Sequence, residues 1–485
     1  MRNEQVQDIT QINKLPIVAV LITGAFLAIL NQTLLATAIP HIMADLQLTE
    51  NTAQWLTTIF MLVNGIMIPI TAFLIETFTT RRLFLSAMGM FAVGTLICIA
   101  APNFAVLMTG RIIQAAGAGI MMPLMMTIFL FIFPIEKRGT AMGMVGLVIG
   151  FAPAMGPVVS GWLVEQYHWK SLFLLVFPLA VLDVIIAYFV MKNITERSFP
   201  KVDYLSIILS TVGFGGLLYG FSSAGNYGWS DQVVIISIAA GVIALVFFIR
   251  RQFQLEQPIL EFRVLKNPLF TITTVITMIA FIGLIAAETI LPIYMQRMAG
   301  YTAFESGMVI MPGALLMGFM SPINGRIFDR FGARWLVIIG LALLTITSLL
   351  YTNLTVDTSL AYLTIVFTVR MLGISMIMMP ATTAGLNQLS KKMIPHGSAM
   401  TNTMRQVAAS IGTAILVTVM TNSALDTGEN ALPSDMIHGV NVAFYVAAAL
   451  SLVALILAFR MKETRPEQVK ENPQAVGAGS MKAGQ

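Results

Sequence analysis

The sequence predicts an all-α protein that crosses a membrane fourteen times and consists of two similar halves. Of its 485 residues, 57% are hydrophobic and only 11% are charged, whereas a water-soluble domain has about a quarter of its residues charged. Fourteen apolar runs are long enough to cross a bilayer whose core is about 30 Å thick. Patterns in the first half return about 255 residues later, which indicates a duplication.

The spans follow one another along the chain with short polar connections between them. We expect no cleavable signal in the polar segment before the first span, because the apolar run that follows it has the length of a true span. The predicted spans fall near 15–39, 52–76, 82–101, 105–131, 139–164, 170–192, 204–224, 232–249, 268–296, 303–325, 334–353, 358–386, 397–423 and 437–459.

The basic residues test both the number of spans and their orientation, since short cytoplasmic loops carry an excess of Lys and Arg. With the N-terminus inside, 23 of the 28 Lys and Arg fall in cytoplasmic segments, two fall in outer loops and three lie within spans. A missed span would invert every later loop and blur this division. We therefore expect a multi-pass protein of the inner or plasma membrane with both termini in the cytoplasm.

Several classes of protein are excluded by the same composition. The formal charge of +5 is dispersed over short loops and forms no basic patch, so nucleic acid is not an expected partner. The single cysteine, Cys98, excludes an intramolecular disulfide. The four histidines lie near span ends and predict no metal centre. A membrane-embedded enzyme is disfavoured because no nucleophile or His/Asp/Glu cluster lies within the spans, and no Walker-type phosphate loop is present.

Two pairs of segments carry the internal repeat. Gly325–Arg334 joins two spans through a segment with four charges and two glycines, and a weaker copy lies at Ala72–Arg82. The fourth span begins its polar pattern at Arg111, and the twelfth repeats it from Arg370; both end in Met-Met-Pro. The repeat predicts an N-terminal tail (1–14), a six-helix bundle (15–192), a linker with two inserted and peripheral helices (193–266), a second six-helix bundle (267–460) and a disordered cytoplasmic tail (461–485).

These segments resemble the fourteen-helix drug:proton antiporters of the major facilitator superfamily, over nearly the whole chain. The segment Gly325–Arg334 matches the superfamily signature Gly-x-x-x-Asp-Arg-x-Gly-x-Arg, and the span from Gly146 to Gly161 is similar to the Gly/Pro-rich antiporter motif. Asn402–Gln406 resembles a signature of this branch. Many relatives place aspartate at the position of Asn31, and the relatives with asparagine there include exporters of the lincomycin-resistance type.

The resemblance implies a gate near the charged segments. Charge and helix-dipole contacts there would hold the two bundles together in one state and release them in another. In the fifth span, closely spaced Gly and Pro would allow bending, although plain tight packing explains them as well. The residues assigned to this gate are Gly325, Asp329, Arg330, Gly332, Arg334, Glu76, Arg81, Gly156 and Pro157.

Proton coupling requires an ionisable group within the membrane, and two carboxylates qualify. Glu288 lies in the ninth span and Asp183 in the sixth. Intramembrane acids are costly and usually mark a pathway. The alternatives are a structural ion pair for Glu288 and a local polar contact for Asp183. The resemblance implies that Arg111 assists proton movement; the alternative is packing against backbone carbonyls.

The remaining polar residues of the spans are candidates for a substrate cavity. Methionines near both repeated patterns could give it a deformable apolar wall, or they could be core filler. For Asn402 and Arg405 a role in helix contacts or gating is the open alternative. The predicted cavity residues are Asn31, Gln114, Tyr294, Gln296, Asn402 and Arg405.

The resemblance implies a monomeric transporter that exports amphipathic drug-like compounds in exchange for protons by alternating access. It needs no metal, nucleotide or other cofactor, since the proton gradient drives it; its partners are a small-molecule substrate, protons and the lipid bilayer. The alternative is a proton-coupled exporter or symporter of one specific metabolite or signalling molecule on the same fold.

Overall fold

A computed structural model describes residues 13–195, 197–199, 201–425 and 432–461, and these residues form helices and no strands. The tails predicted at 1–14 and 461–485 lie almost entirely outside the described residues. The first half contains α1 (Lys14–Leu34), α2 (Ile39–Leu46), α3 (Glu50–Thr77), α4 (Thr80–Ala100), α5 (Phe104–Ile132), α6 (Arg138–Gln166) and α7 (Ser171–Val190). Two helices follow, α8 (Tyr204–Tyr227) and α9 (Gln232–Gln254). The second half contains α10 (Pro268–Arg297), α11 (Ala303–Phe331), α12 (Arg334–Leu350), α13 (Leu360–Leu386), α14 (Ile394–Asn422) and α15 (Pro433–Phe459).

The prediction of fourteen spans is confirmed for the described residues, since every helix except the short α2 is long and apolar enough to cross a membrane. Some predicted boundaries differ from those of the structure, as the first and tenth spans show. The first span ends at Leu34, and a separate helix begins beside Pro40. Helix α11 continues through Asp329 to Phe331, so the charged repeat is mostly helix. It stops at Gly332, whose φ of 79° is a left-handed conformation that favours glycine.

Side-chain caps explain why several helices begin where they do. The first amide groups of a helix have no partner within it, and an Asn, Asp, Ser or Thr at the N-cap can accept from them. Thr79, Asn103, Asp231, Asn267 and Ser359 do so for α4, α5, α9, α10 and α13. Polar residues in otherwise apolar sequence therefore set the helix starts on both sides of the bundle.

The helices pack as two pseudosymmetric bundles. In the first, α5 packs on α3 and α4, α6 on α1, and α7 on α4; in the second, α13 packs on α11 and α12, α14 on α10, and α15 on α12. The bundles meet along two seams, α6 with α11 and α3 with α14. We call the end of the molecule at which α3 ends and α14 begins the Asp329 face, and the opposite end the Asn103 face.

The inserted helices differ from the predicted peripheral pair. Helix α9 is largely exposed, but α8 packs on α3 of the first bundle and on α14 of the second. Trp55 stacks on Tyr219 with ring centroids 5.4 Å apart, and Trp229 donates to the Thr418 hydroxyl over 2.7 Å. The inserted pair therefore covers one of the two seams between the bundles.

Candidate functional site

Glu288 lies on a loosely packed stripe of α10, about 14 Å from the Asn103 face by helical rise. Its side chain is half-buried, as are those of Ile285 and Pro292 on the same stripe. The opposite stripe, which includes Gly283 and Ala287, is fully buried. No hydrogen bond or ion pair joins the Glu288 carboxylate to another residue in the described part of the chain. This acid is thus available to a ligand or a proton.

Arg370 of the second bundle bonds to the backbone of α10, five residues before Glu288 in sequence. It is buried on α13 and donates to the backbone carbonyl of Gly283 and to the Ser348 hydroxyl, both over 2.8 Å. Its Nε has no partner among the described residues. Arg370 therefore ties α13 to α10 little more than one turn from Glu288.

Arg111 makes the corresponding contacts in the first bundle. Its Nε donates to the Leu56 carbonyl over 3.2 Å, its guanidinium lies 4.2 Å from the Phe60 ring centroid, and Nη1 donates to Gln114 over 2.8 Å. Gln114 in turn donates to Thr95 over 2.7 Å. Both residues are fully buried. Both hydrogen bonds of Gln114 stay within the first bundle, and its role in lining a substrate cavity stays a prediction.

Asp183 lies far from the seams. It is buried on α7, which packs on α4 and α1, and a Cβ on Gly24 would lie 3.1 Å from its Oδ2. That oxygen accepts no hydrogen bond from any residue that the structure describes. Glu288 and Asp183 therefore stand in different bundles, and the structure does not bring the two predicted acids together.

Asn402 and Arg405 lie where the bundles touch. Nη2 of Arg405 donates to Asn402 over 3.0 Å, and Asn402 donates to the Met126 sulfur of α5 over 3.1 Å. One turn earlier, Ser398 donates to the Pro123 carbonyl over 3.2 Å. Both Asn402 and Arg405 are buried in contact with the other bundle, the arrangement expected for helix contacts or gating.

Three further residues that were predicted to line the cavity have different surroundings in this structure. Tyr294 is fully buried and donates to the Thr355 carbonyl over 2.6 Å, so it fixes a connection within its own bundle. Gln296 is exposed at the end of α10. Asn31 is buried in α1, and its amide nitrogen has no partner among the described residues. Neither Tyr294 nor Gln296 therefore lines an internal cavity here, because one is closed off and the other is at the surface.

Asp329 joins the two bundles directly. Its carboxylate accepts from the backbone amides of Gly139 and Thr140 over 2.7 and 2.8 Å, and from the Thr140 hydroxyl over 2.6 Å. These amides belong to the first turn of α6, where the helix dipole favours negative charge. Beside this contact, Arg138 donates to Asn387 of the second bundle over 2.8 Å.

The arginines of the repeats do not take part in this contact. Arg330 is exposed and lies over the ring of its neighbour Phe331, and Arg334 donates to the Phe459 carbonyl of its own bundle. Arg81 lies over the Tyr188 ring and donates to its carbonyl, also within one bundle. In this structure each of the three arginines contacts an acceptor or a ring of its own bundle, and their assignment to the gate stays a prediction.

Glu76 occupies the equivalent position in the first half and contacts the second bundle differently. Its Oε1 lies 3.0 Å from Nε2 of His396, near the start of α14. The backbone amide of Glu261 donates to Nδ1 of the same ring over 3.3 Å. With Nδ1 as acceptor, Nε2 carries the proton that Glu76 accepts.

The inserted helices are connected to this histidine. Gln252 of α9 accepts from the amides of Ile259 and Leu260, over 2.8 and 3.4 Å, just before Glu261. At the same end of the pair, Arg251 donates to Asp203 and holds the pKa of that carboxyl below its usual range. A continuous path of bonds therefore runs from α8 and α9 to the contact between Glu76 and His396.

Helix α6 changes partner along its length. A Cβ on Gly143 would lie 2.6 Å from the Ser321 carbonyl oxygen, and one on Gly150 would lie 2.7 Å from the Gly318 amide, both in α11. Further on, Gly156 packs against Thr33 of α1, in its own bundle. Pro153 and Pro157 lie at the change. The predicted gate residues Gly156 and Pro157 therefore belong to the part that stays with the first bundle.

The sequence did not lead us to the starts of α6 and α14, which contact the carboxylates of Asp329 and Glu76. Arg138-Gly-Thr-Ala-Met142 returns as His396-Gly-Ser-Ala-Met400, a further copy of the repeat. Aligning these segments would have paired Gly139 with Gly397 and pointed to His396. Gln252 and Glu261 carry no comparable signal, because their contacts depend on how the inserted pair folds back.

Comparisons with known proteins agree with this architecture. The family model described as the Major Facilitator Superfamily matches residues 21–413. The chain is 57% identical to an uncharacterized MFS-type transporter, YcnB, of Bacillus subtilis, over 96% of this chain and 98% of the relative. It is 41% identical to the lincomycin resistance protein LmrB of the same species, over 94% and 97%, and 28% identical to the multidrug export protein EmrB of Haemophilus influenzae, over 81% and 78%.

Solved structures show the same fold at low identity. The human organic anion transporter MFSD10 superposes with a TM-score of 0.66 at 13% identity, over 92% of this chain and all of that one. The transporter FucP gives 0.61 at 12%, over 92% and 99%. The sequence prediction of fold and family is confirmed: the chain belongs to the major facilitator superfamily, as a membrane transporter and not an enzyme, in the branch that contains the LmrB relatives.

Proposed function

We propose that the protein exports amphipathic, drug-like compounds in exchange for protons. The observation that carries this proposal is Glu288, a half-buried intramembrane carboxylate without a protein partner among the described residues. A carboxylate directed at lipid would be costly, so such a group belongs on a polar pathway. The names of the LmrB and EmrB relatives support the substrate class.

The proposed cycle uses the two seams as hinge and gate. Glu288 takes up a proton from outside as substrate leaves, the bundles re-orient, and loss of the proton inside re-admits substrate. The Asp329 face is then the cytoplasmic face of the plasma membrane, with both termini inside, as the distribution of basic residues supports. A monomer suffices in this scheme because one chain supplies both bundles, and the proton gradient is the only energy source.

We expect Glu288→Gln to abolish proton-driven efflux while the variant still reaches the membrane, because the amide cannot carry a proton between the two sides. Drug-induced proton release and drug transport would be measured in inside-out vesicles. Glu165→Gln is the matched control, since Glu165 is exposed at the end of α6. Unchanged proton release by Glu288→Gln would exclude Glu288 from coupling.

The substrate class needs a separate measurement. A panel of lincosamides, lipophilic cations and amphipathic anions in the same vesicles should give transport of several chemically unrelated compounds. Transport of a single metabolite, with the others excluded, would replace multidrug export by the specific-solute alternative and leave the role of Glu288 intact.

A further inference from the structure

A cavity of about 480 Å³ lies at the Asp329 face, between the two bundles and away from Glu288. Its apolar lining includes Ile75, Phe131 and Ile194, of which Ile75 and Ile194 are buried. Its mouth carries charged residues from both sides of the seam. The cavity is large enough for the polar portion of a small ligand, and nothing in the proposed transport cycle uses it.

Three cationic side chains line the mouth. Arg197 belongs to the segment after α7, on the side of the first bundle, whereas Lys391 and Lys392 precede α14 in the second. Among the described residues that line the cavity, Glu76 is the only acid, and it is already bonded to His396 and Ser198. The cavity therefore has an excess of positive charge available to a ligand.

One wall of the cavity is held in place by the first bundle. The Ser198 amide donates to the Glu76 carbonyl over 3.0 Å, and Arg197 Nε donates to the Thr77 carbonyl over 3.3 Å. Glu196, between Thr195 and Arg197, lies outside the described residues. Because this bond uses Nε, the outer edge of the Arg197 guanidinium remains available to an anion.

The opposite wall adds to the attraction for an anion. It contains Pro395, in the first turn of α14, so the cavity borders the positive end of a long helix. The side chains of Lys391 and Lys392 form no hydrogen bond or ion pair with another described residue, and both residues are exposed. Two ammonium groups and a helix start thus face the Arg197 side across the seam.

We propose that this cavity binds a phosphate-bearing anion, either the headgroup of an anionic lipid or a soluble phosphate ester, and that the bound anion holds the Asp329 face closed. A phosphate accepts from guanidinium and ammonium donors at once, so it can join the Arg197 side to the lysine side. Because the spans end beside the cavity, a bilayer around them would place it near the lipid headgroups, where anionic lipids attract basic residues.

The anion acts on the conformational equilibrium because its site exists only while the two sides are close. Re-orientation of the bundles separates Arg197 from Lys391 and Lys392, so a ligand that needs both favours the closed face. The effect is independent of the substrate and of Glu288. Failure of the proton-exchange proposal would leave this one standing, and the reverse also holds.

The test uses the purified full chain in nanodiscs, with thermal unfolding as the readout. In phosphatidylcholine discs, pyrophosphate is titrated as the soluble probe; in a second series, phosphatidylglycerol replaces part of the lipid and no pyrophosphate is added. We expect one of these ligands to raise the unfolding midpoint by about 2 °C at saturation. The series that responds identifies the source of the anion.

Variants then locate the effect. Lys391→Gln with Lys392→Gln should weaken the response at least about tenfold in concentration, because two of three cations are lost. Lys266→Gln with Arg460→Gln is the matched control, since both residues are exposed near the same face and lie outside the cavity lining. An equal loss in the control would show a general charge effect and overturn the proposal.

The conformational part has its own readout. Spin labels at cysteines replacing Arg82 and Arg460, exposed residues in the two bundles at the Asp329 face, report the distance across it in a Cys98→Ala background. The responding anion should increase the short-distance population, and Arg197→Gln should abolish that increase. Absence of any response to both ligands, or binding with no change in distance, would overturn the inference.

Discussion

Asp329 and Glu76 occupy equivalent positions in the two halves, but they hold the opposite bundle through different atoms. Asp329 accepts from two backbone amides and a hydroxyl at the start of α6. Glu76 is one methylene longer and meets the His396 ring, which replaces Arg138 of the first copy. Backbone donors at a helix start add the dipole to the hydrogen bonds, so the Asp329 contact is the stronger of the two.

We predict that Asp329→Asn slows turnover far more than Glu76→Gln. The asparagine keeps one acceptor but removes the charge and turns an amide group towards the α6 donors, a loss of about 2 kcal/mol or about thirtyfold in the closed-to-open ratio. Glu76→Gln retains an acceptor for the His396 ring. Transport rates in vesicles and thiol accessibility at the Asp329 face measure the two effects; equal losses in both variants contradict the asymmetry.

Helix α6 is the element that links gate and bundle. Its first half packs on α11 of the other bundle through glycines, and its second half packs on α1. Small residues allow backbones to approach closely, and the two prolines, which have no amide hydrogen, interrupt the backbone hydrogen bonds between the halves. The half of α6 that lies at the seam is therefore distinct from the half that packs within the first bundle.

Gly143→Ala should disturb the seam, because the new methyl group would meet Ser321 and Pro322 backbone atoms of α11. Overpacking of this kind costs about 1–3 kcal/mol. We expect reduced transport and a more accessible Asp329 face. Gly161→Ala on the same helix is the control, as no atom lies within 4 Å of its Cβ position. Normal transport by Gly143→Ala would remove the close approach from the gating mechanism.

The inserted pair has a defined connection to the second seam through Gln252. This residue is buried, donates to Ser206 over 2.6 Å and accepts from two buried amides of the linker. The linker then presents the Glu261 amide to His396. The position of α9 is thus transmitted to the Glu76 contact through the Gln252 amide and the backbone amides of the linker.

Gln252→Leu should loosen this linker, since it leaves two buried amide donors unsatisfied at a cost of about 2 kcal/mol. We expect hydrogen exchange at Ile259, Leu260 and Glu261 to become at least about tenfold faster. Gln254→Leu, exposed on the same helix, controls for the loss of a polar side chain. Unchanged exchange in the Gln252 variant would mean that the linker is held by other contacts.

At the scale of the whole molecule, composition and repetition were enough to predict the architecture. Span length, the positions of basic residues and the repeat around Asp329 each report a global property of the chain, so local errors such as the end of α1 do not affect them. The same information located Asp329 but did not identify its partners. Those depend on the register between α6 and α11, which a single span does not encode.

For the polar residues predicted to line the cavity or to assist proton movement, the sequence left the contacts open for a related reason. Tyr294, Gln114 and Arg111 are polar residues in apolar helices, which fits both a pathway and a structural bond within a bundle. In this structure their partners are the Thr355 carbonyl, Thr95 and the Leu56 carbonyl, and each of these comes from a helix or connection distant in sequence. The polarity of these residues predicted a buried contact. Whether such a contact belongs to a pathway or to packing within a bundle depends on the helix face that carries the residue.

Helix α8 spans a seam whose two sides must move against each other if the bundles rock. Its contact with α3 is extensive: Trp55 stacks on Tyr219, and Gly65 lies against Leu218. At the loop after α8, Trp229 bonds Thr418 of α14. The stacked and interlocked surface is harder to shift than one hydrogen bond, so we infer that α8 moves with the first bundle and slides over α14.

This inference predicts different effects of cross-linking α8 to each neighbour. In a Cys98→Ala background, a short bifunctional thiol reagent joining cysteines at Ile66 and Gly215, which face each other between α3 and α8, should leave transport nearly unchanged. The same reagent joining cysteines at Trp229 and Thr418 should block it, because that contact must open during re-orientation. Each single-cysteine variant with reagent controls for local damage. Block by the α3 link and tolerance of the α14 link would assign α8 to the second bundle, and tolerance of both would show that the seam does not move.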